Sequence, residues 1–202
     1  KTAYEIKECD WSSDVCSSDL YGYGTTAVQL VSAVNVVAND GVYVGPKLVT
    51  EVVNADGSRE TTPATPTRRV LSSATAATMR TLMTDVVCYG TAQLAKIPGL
   101  SVAGKTGTGY IRQDNGTYIK DDGSRAYFAS FVGFLPATNP EFTVLVSVDE
   151  PDPGSRDRFG GTAAAPVFAR IGQVIVNELE LRPSPGDTGC VGSRPAELGP
   201  GH

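Results

Sequence analysis

Histidine is almost absent from this chain of 202 residues. The chain also has few cysteines and no long apolar run, and these features exclude several kinds of protein. The one histidine is His202 at the terminus, so a catalytic histidine is not expected. No apolar run approaches the roughly 20 residues that a membrane-spanning helix needs, and four cysteines are too few for a disulfide scaffold. A formal net charge of −5 without a basic cluster argues against nucleic acid as a main partner. With 41% hydrophobic and 19% charged residues, the composition is that of an ordinary globular domain.

Clusters that could hold a metal or a cofactor are also weak. The acidic pairs and triplets at residues 121–122 and 149–152 are interpreted as turn and strand-end charges. The residues Gly104-Lys105-Thr106 are interpreted as part of a strand, not as the end of a phosphate-binding loop. No cofactor and no metal are therefore expected.

Residues 1–20 do not read as native protein. The segment KTAYEIKECDWSSDVCSSDL has no helical or strand period, and both of its ends, back-translated, resemble a common sequencing-library adapter. It is therefore excluded from fold reasoning. Residues 21–202 carry 15 basic and 17 acidic residues, a net charge of −2, and only Cys88 and Cys190. A disulfide between these two is possible, but nothing in the sequence supports it.

The remaining chain alternates helical and strand patterns. A helix is predicted after the cap Thr25-Thr26 and ends at Asn39-Asp40-Gly41, and a second helix begins at about Ser73. Strands are predicted at 47–53, 100–108, 127–135 and 142–148, with a turn at 54–57, a last helix at 163–179 and disorder from 183. This order indicates an α+β fold, in which helices pack on an antiparallel sheet.

The segment around Lys105 carries the candidate chemistry. A lysine on a strand with hydroxyls beside it can hold a carboxylate by charge and hydrogen bonds together. Gly107 leaves room for a substrate that lies along the strand, and the Thr108 N–H can point at an acyl oxygen. Taken alone, Lys105-Thr106-Gly107 is a weak signal, and a strand with a solvated lysine would be the default interpretation.

K-T-G is also the third signature of serine enzymes that are acylated by penicillin, after S-x-x-K and S-x-N. Around it, the sequence resembles the C-terminal part of class B penicillin-binding proteins, the peptidoglycan D,D-transpeptidases. The matching segments follow the family's order: 21–24, 28–30, 38–41, 90–92, 102–108, 129–137, 139–141, 149–151, 159–161 and 164–168. The resemblance implies the penicillin-binding/β-lactamase-like transpeptidase fold, C-terminal part only, over residues 21–182. The Gly/Pro-rich composition of residues 183–202 predicts a disordered tail.

The resemblance also implies roles for single residues. Lys105 would be the catalytic lysine that faces the nucleophile serine. Thr106 and Thr108 would hold the carboxylate of a peptide stem or a β-lactam, and the Thr108 N–H would form half of the oxyanion hole. Gly107 would be the open position of the substrate-binding strand. Tyr110 is included among the substrate-binding residues, although the family often has another polar residue there and its role stays open.

The nucleophile itself is missing from the sequence. No serine begins S-x-x-K or S-x-N, and the family order puts both motifs upstream of Tyr21, so the chain alone is expected to be inactive. The whole protein would cross-link peptidoglycan stem peptides and bind β-lactams, in a membrane-bound, extracytoplasmic cell-wall synthesis complex, with a septal role. The alternatives are a β-lactam-sensing receptor domain, a class A β-lactamase and an inactive remnant. The β-lactamase is disfavoured because neither Glu51 nor Glu60 has an asparagine four residues on.

Overall fold

The first helix of the structure begins at its predicted cap. The computed structural model describes residues 25–152, 157–183, 187 and 189–190, so residues 1–20 lie outside it. Helix α1 spans Ala27–Ala38, and Thr26 and Gln29 form a capping box in which each side chain accepts from the other residue's backbone N–H. The helix ends where predicted, because Gly41 adopts a φ of 83° that favours glycine.

Two small antiparallel pairs follow α1. Strands β1 (Val42–Val44), β2 (Glu51–Val53), β3 (Arg59–Thr61) and β4 (Thr67–Arg69) pair as β2 with β3 and β1 with β4. The turn at 54–57 joins β2 to β3 as predicted. The strand predicted at 47–53 is shorter, because among the described residues 47–50 have no strand beside them and the Thr62 hydroxyl binds the carbonyls of Val49 and Thr50.

The central sheet has three antiparallel strands in the order β5-β6-β7. Helix α2 (Ser73–Cys88) and a short 3-10 helix (Gln93–Ala95) precede it, and its strands are β5 (Ala103–Tyr110), β6 (Tyr127–Leu135) and β7 (Phe142–Asp149). The predictions for β6 and β7 are confirmed to within one residue. Strand β5 begins later than predicted because the Ser101 N–H donates to the Asp187 carboxylate instead of to a strand.

Helices cover both faces of this sheet. A π-helical turn (Gly160–Ala164) leads into α3 (Ala165–Glu178), and the Phe168 ring meets the edge of Phe131 on β6 with 4.7 Å between the ring centroids. On the opposite face, Ala103 and Phe134 form a second buried cluster with residues of α1 and α2. The α+β class is therefore confirmed, with helices packed on an antiparallel sheet.

The C-terminal segment contacts the body at two points. Cys190 forms a disulfide with Cys88 at the end of α2, which the sequence had left without support. The Asp187 carboxylate accepts hydrogen bonds from the Ser101 N–H and hydroxyl and from the Thr138 hydroxyl. Most of the segment expected to be disordered from residue 183 lies outside the described residues.

Among the described residues, no helix is long and apolar enough to cross a membrane, and no group of three or more potential ligands could hold a metal.

Candidate active site

Strand β5 is an edge strand with an open side in the described part of the chain, where it pairs with β6 only. The N–H of Ile111, just past its end, donates to the Ala126 carbonyl at 3.0 Å. Since hydrogen-bonded pairs alternate along an antiparallel ladder, the odd-numbered residues of β5 exchange hydrogen bonds with β6. The backbone groups of Thr106 and Thr108 therefore point away from β6, to the open edge, where an extended ligand could add to the sheet.

Lys105 brings its charge to this same edge. Its side chain leaves the sheet on the face opposite Thr106 and Thr108, because successive residues of a strand alternate between faces. The ammonium Nζ nevertheless bends round to donate to the Thr106 carbonyl oxygen at 2.8 Å. The Lys105 side chain is exposed, and no carboxylate of the described residues pairs with it. The open edge thus combines a cation with the outward N–H of Thr108.

The Thr108 hydroxyl is held by the turn that begins the C-terminal helix. The N–H of Gly160 donates to Thr108 Oγ1 at 3.1 Å. This contact requires a glycine, because a methyl group at position 160 would overlap the carbonyl oxygens of Gly107 and Ser130. A hydroxyl that accepts from an N–H still has its own proton to donate. Thr108 can therefore offer that proton to an anion.

Thr106 lies on the same face of β5 and has a different partner. Its register partner on β6 is Phe131, whose ring packs on α3, so the Thr106 side chain leaves the sheet towards that helix. The Thr106 hydroxyl oxygen lies 2.9 Å from that of Thr91, in the turn after α2. Sequence reasoning matched Thr91 to the family but gave it no role, and the match at 90–92 was the only signal for it.

Tyr110 lies at the far end of the strand, in an aromatic cluster. Its ring centroid is 5.2 Å from that of Tyr127, and the Arg125 guanidinium carbon is 4.6 Å from the Tyr110 centroid. Tyr127 in turn meets Phe159 edge-on at 6.0 Å. Phe159 is 42% exposed and directly precedes Gly160. This cluster gives the end of β5 an apolar wall with cationic neighbours.

Residues 99–106, GLSVAGKT, also fit the pattern G-x-x-x-x-G-K-[ST] of phosphate-binding loops. That motif needs a glycine-rich loop that leads directly into a helix. Here Lys105 and Thr106 lie inside the continuous strand Ala103–Tyr110, paired with β6 along its whole length. The match is therefore accidental, and the strand interpretation of Gly104-Lys105-Thr106 is confirmed.

Comparison with known proteins decides the family. The family model described as "Penicillin binding protein transpeptidase domain" matches residues 5–173, a range that overlaps part of the segment 1–20. The chain belongs to this family. It is 35% identical to penicillin-binding protein PbpB of Mycobacterium tuberculosis, over 87% of this chain and 27% of that protein. It is 30% identical to the probable peptidoglycan D,D-transpeptidase PenA of Neisseria flavescens, over 81% of this chain and 37% of that protein.

Solved structures give the same result. The chain is similar to penicillin-binding protein 3 of Mycobacterium tuberculosis complexed with ampicillin, with a TM-score of 0.70 and 32% identity over 83% of this chain and 38% of that one. The penicillin-binding transpeptidase fold expected from the family resemblance is therefore confirmed. In both kinds of comparison, the chain spans less than half of the relatives' length.

Proposed function

We propose that this chain forms the substrate-clamping part of a peptidoglycan D,D-transpeptidase, an enzyme of cell-wall synthesis. The observation that carries the proposal is the open edge of β5, where the Lys105 ammonium lies against the outward carbonyl of Thr106 and the Thr108 N–H points the same way. Membership of the transpeptidase family and the likeness to a probable D,D-transpeptidase support it.

The proposed reaction is an acyl transfer in two steps. A serine from outside these 202 residues attacks the penultimate D-alanine carbonyl of a stem peptide, and its proton passes through a base to the departing D-alanine amine. The acyl-serine ester then reacts with the amine of a neighbouring stem, which forms the cross-link and returns a proton to the serine. Within this chain, Lys105 stabilises charge near the nucleophile, while the Thr108 N–H binds the oxyanion. The hydroxyls of Thr106 and Thr108 bind the terminal carboxylate, and Gly107 and Tyr110 line the strand that the stem follows.

β-Lactams are proposed to bind at the same edge, with their carboxylate in place of that of the stem. An ampicillin complex of the similar mycobacterial protein supports this ligand class. The peptide and the drug share an acyl group next to a carboxylate, which is the pattern that the two threonines and the lysine would recognise.

The test uses the full-length protein, expressed after the native gene has been sequenced upstream of the Tyr21 codon without library adapters. We expect a fluorescent penicillin to label it covalently and a stem-peptide analogue to release D-alanine. Replacing Lys105 by alanine should slow acylation about 10- to 150-fold, the value of a charge-assisted hydrogen bond of about 1.5–3 kcal/mol. Lys96→Ala, at another exposed lysine, is the matched control.

The outcomes separate the alternatives. Acylation without release of D-alanine would favour a β-lactam sensor, and rapid turnover of the penicillin would favour a β-lactamase. Failure to acylate would indicate an inactive remnant. The same sequencing tests our proposal that residues 1–20 are a translated adapter, because those codons should be absent from the native gene.

The place of action is part of the proposal. We place the whole protein at the membrane with this domain outside the cytoplasm, in a cell-wall synthesis complex with a division role. A fluorescent fusion should collect at the septum, and uniform labelling of the cell periphery would argue for a role in elongation instead.

A further inference from the structure

The hydroxyl of Thr91, in the turn after α2, contacts the Thr106 hydroxyl from outside the central sheet. The two residues are 15 positions apart in sequence, and their hydroxyl oxygens lie 2.9 Å from each other. We propose that Thr91 is a positioning residue, which directs the Thr106 hydroxyl proton towards the carboxylate of the substrate. The inference rests on the proposed function, because it assigns Thr91 a part in recognition of that carboxylate.

The backbone around Thr91 is fixed on both sides of the residue. The N–H groups of Gly90 and Ala92 both donate to the Val86 carbonyl, at 3.1 and 3.2 Å. The Thr91 carbonyl lies so close to Gly161 that a methyl group at position 161 would overlap it. The turn after α2 is therefore held between that helix and the π-helical turn. A side chain on such a turn can keep a fixed hydroxyl direction at little entropic cost.

The chemistry follows from the single proton of a hydroxyl. If the Thr91 hydroxyl donates to the Thr106 oxygen, the Thr106 hydroxyl proton is left for another acceptor. The hydrogen bond that Thr106 accepts also polarises its own O–H bond and makes it a stronger donor. Thr108 has the parallel arrangement, since its hydroxyl accepts from the Gly160 N–H. Both hydroxyls on this face would then accept from a fixed donor and donate to the same anion. This parallel supports the assignment of Thr91 as the donor and Thr106 as the acceptor.

Because Thr91 is exposed, its hydroxyl can be removed without disturbing the buried core. Thr91 is exposed, so Thr91→Val removes the hydroxyl, keeps the shape and leaves the buried core untouched. Thr91→Ser restores the hydroxyl. Thr81→Val is the matched control, because Thr81 is also exposed and its hydroxyl donates to the Ala77 carbonyl within α2.

The experiment measures the second-order rate of acylation of the full-length protein by benzylpenicillin and by its methyl ester, which lacks the carboxylate charge. We expect Thr91→Val to slow the reaction with the free acid about 5- to 10-fold, within the range of one neutral hydrogen bond. The reaction with the ester should change less than about 2-fold, and Thr91→Ser should restore the rate with the acid. A residue that only supports the fold would slow both reactions alike.

Three results would overturn the inference. Equal slowing with acid and ester would make Thr91 merely structural. An unchanged rate with the acid would remove it from the site while leaving the proposed function intact. Absence of acylation in the unmodified protein would overturn the proposed function and this inference together.

Discussion

Phe168 is the largest fully buried side chain of the C-terminal helix. It is fully buried, and its ring meets Phe131 edge-on at 4.7 Å. Phe131 is the register partner of Thr106, and its ring fills the space that a side chain at Gly104 would need. Phe168→Ala therefore removes the support behind the middle of β5 as well as part of the core.

The decrease in the free energy of unfolding caused by Phe168→Ala can be estimated from the burial of the ring. Truncation of a fully buried phenylalanine to alanine typically costs about 3–5 kcal/mol, through lost transfer free energy and the cavity left behind. The loss of the edge-to-face pair with Phe131 is part of that cost and is worth about 0.5–1.5 kcal/mol. With a urea m-value of about 2 kcal/mol/M, the midpoint of unfolding should fall by about 1.5–2.5 M.

The assay is urea unfolding followed by circular dichroism on the unmodified chain and two variants. Val174→Ala on the same helix is the control, because Val174 is 58% exposed and surface truncations cost within about 0.5 kcal/mol. A decrease of the urea midpoint by less than about 0.5 M for Phe168→Ala would refute the packing of α3 on the sheet. An equal decrease for Phe168→Ala and Val174→Ala would refute it as well.

Other changes test separate parts of the structure. Gly41→Ala should destabilise the chain more than Gly57→Ala in urea unfolding, because both glycines have a φ of 83° but only a methyl at position 41 would overlap the backbone of another residue. Cys190→Ala removes the disulfide, which closes a loop of 102 residues, and should cost up to about 4.7 kcal/mol under oxidising conditions and nothing after reduction. The Ser58 hydroxyl and N–H bind the Asp56 carboxylate and lower its pKa, so Ser58→Ala should raise the pKa of Asp56 towards its ordinary value in an NMR titration. Because the folded-state pKa is the lower one, the stability that this carboxylate contributes is present above its ordinary pKa and is lost as the pH falls through the lowered value.

Local signals made much of the fold predictable. The Thr26 cap and the Gly41 stop bound α1, and the β-rich runs at 127–135 and 142–148 became β6 and β7. These elements have residue patterns within one window of sequence, so propensity and periodicity suffice. The disulfide could not be predicted in the same way, because its cysteines lie 102 positions apart and their meeting depends on the path of the whole chain.

The residues of the candidate site could be predicted from the sequence, but their geometry could not. The K-T-G residues could be found because they are contiguous and belong to an ordered series of family segments. Their geometry could not, since a strand motif does not reveal which of its edges is free or that the Lys105 ammonium turns back to the Thr106 carbonyl.

The two threonines show why such a site depends on distant segments of the chain. Side-chain alternation places Thr106 and Thr108 on one face, but a rotatable hydroxyl alone has no fixed direction. Their hydrogen-bond partners are the Gly160 N–H and the Thr91 hydroxyl, which lie on two segments far apart in sequence. Gly160 and Gly161 allow both contacts, because a side chain at either position would separate its turn from β5 or from Thr91. The glycine pair thus allows the C-terminal helix to approach both β5 and the turn that carries Thr91, because a side chain at either position would overlap a backbone carbonyl there.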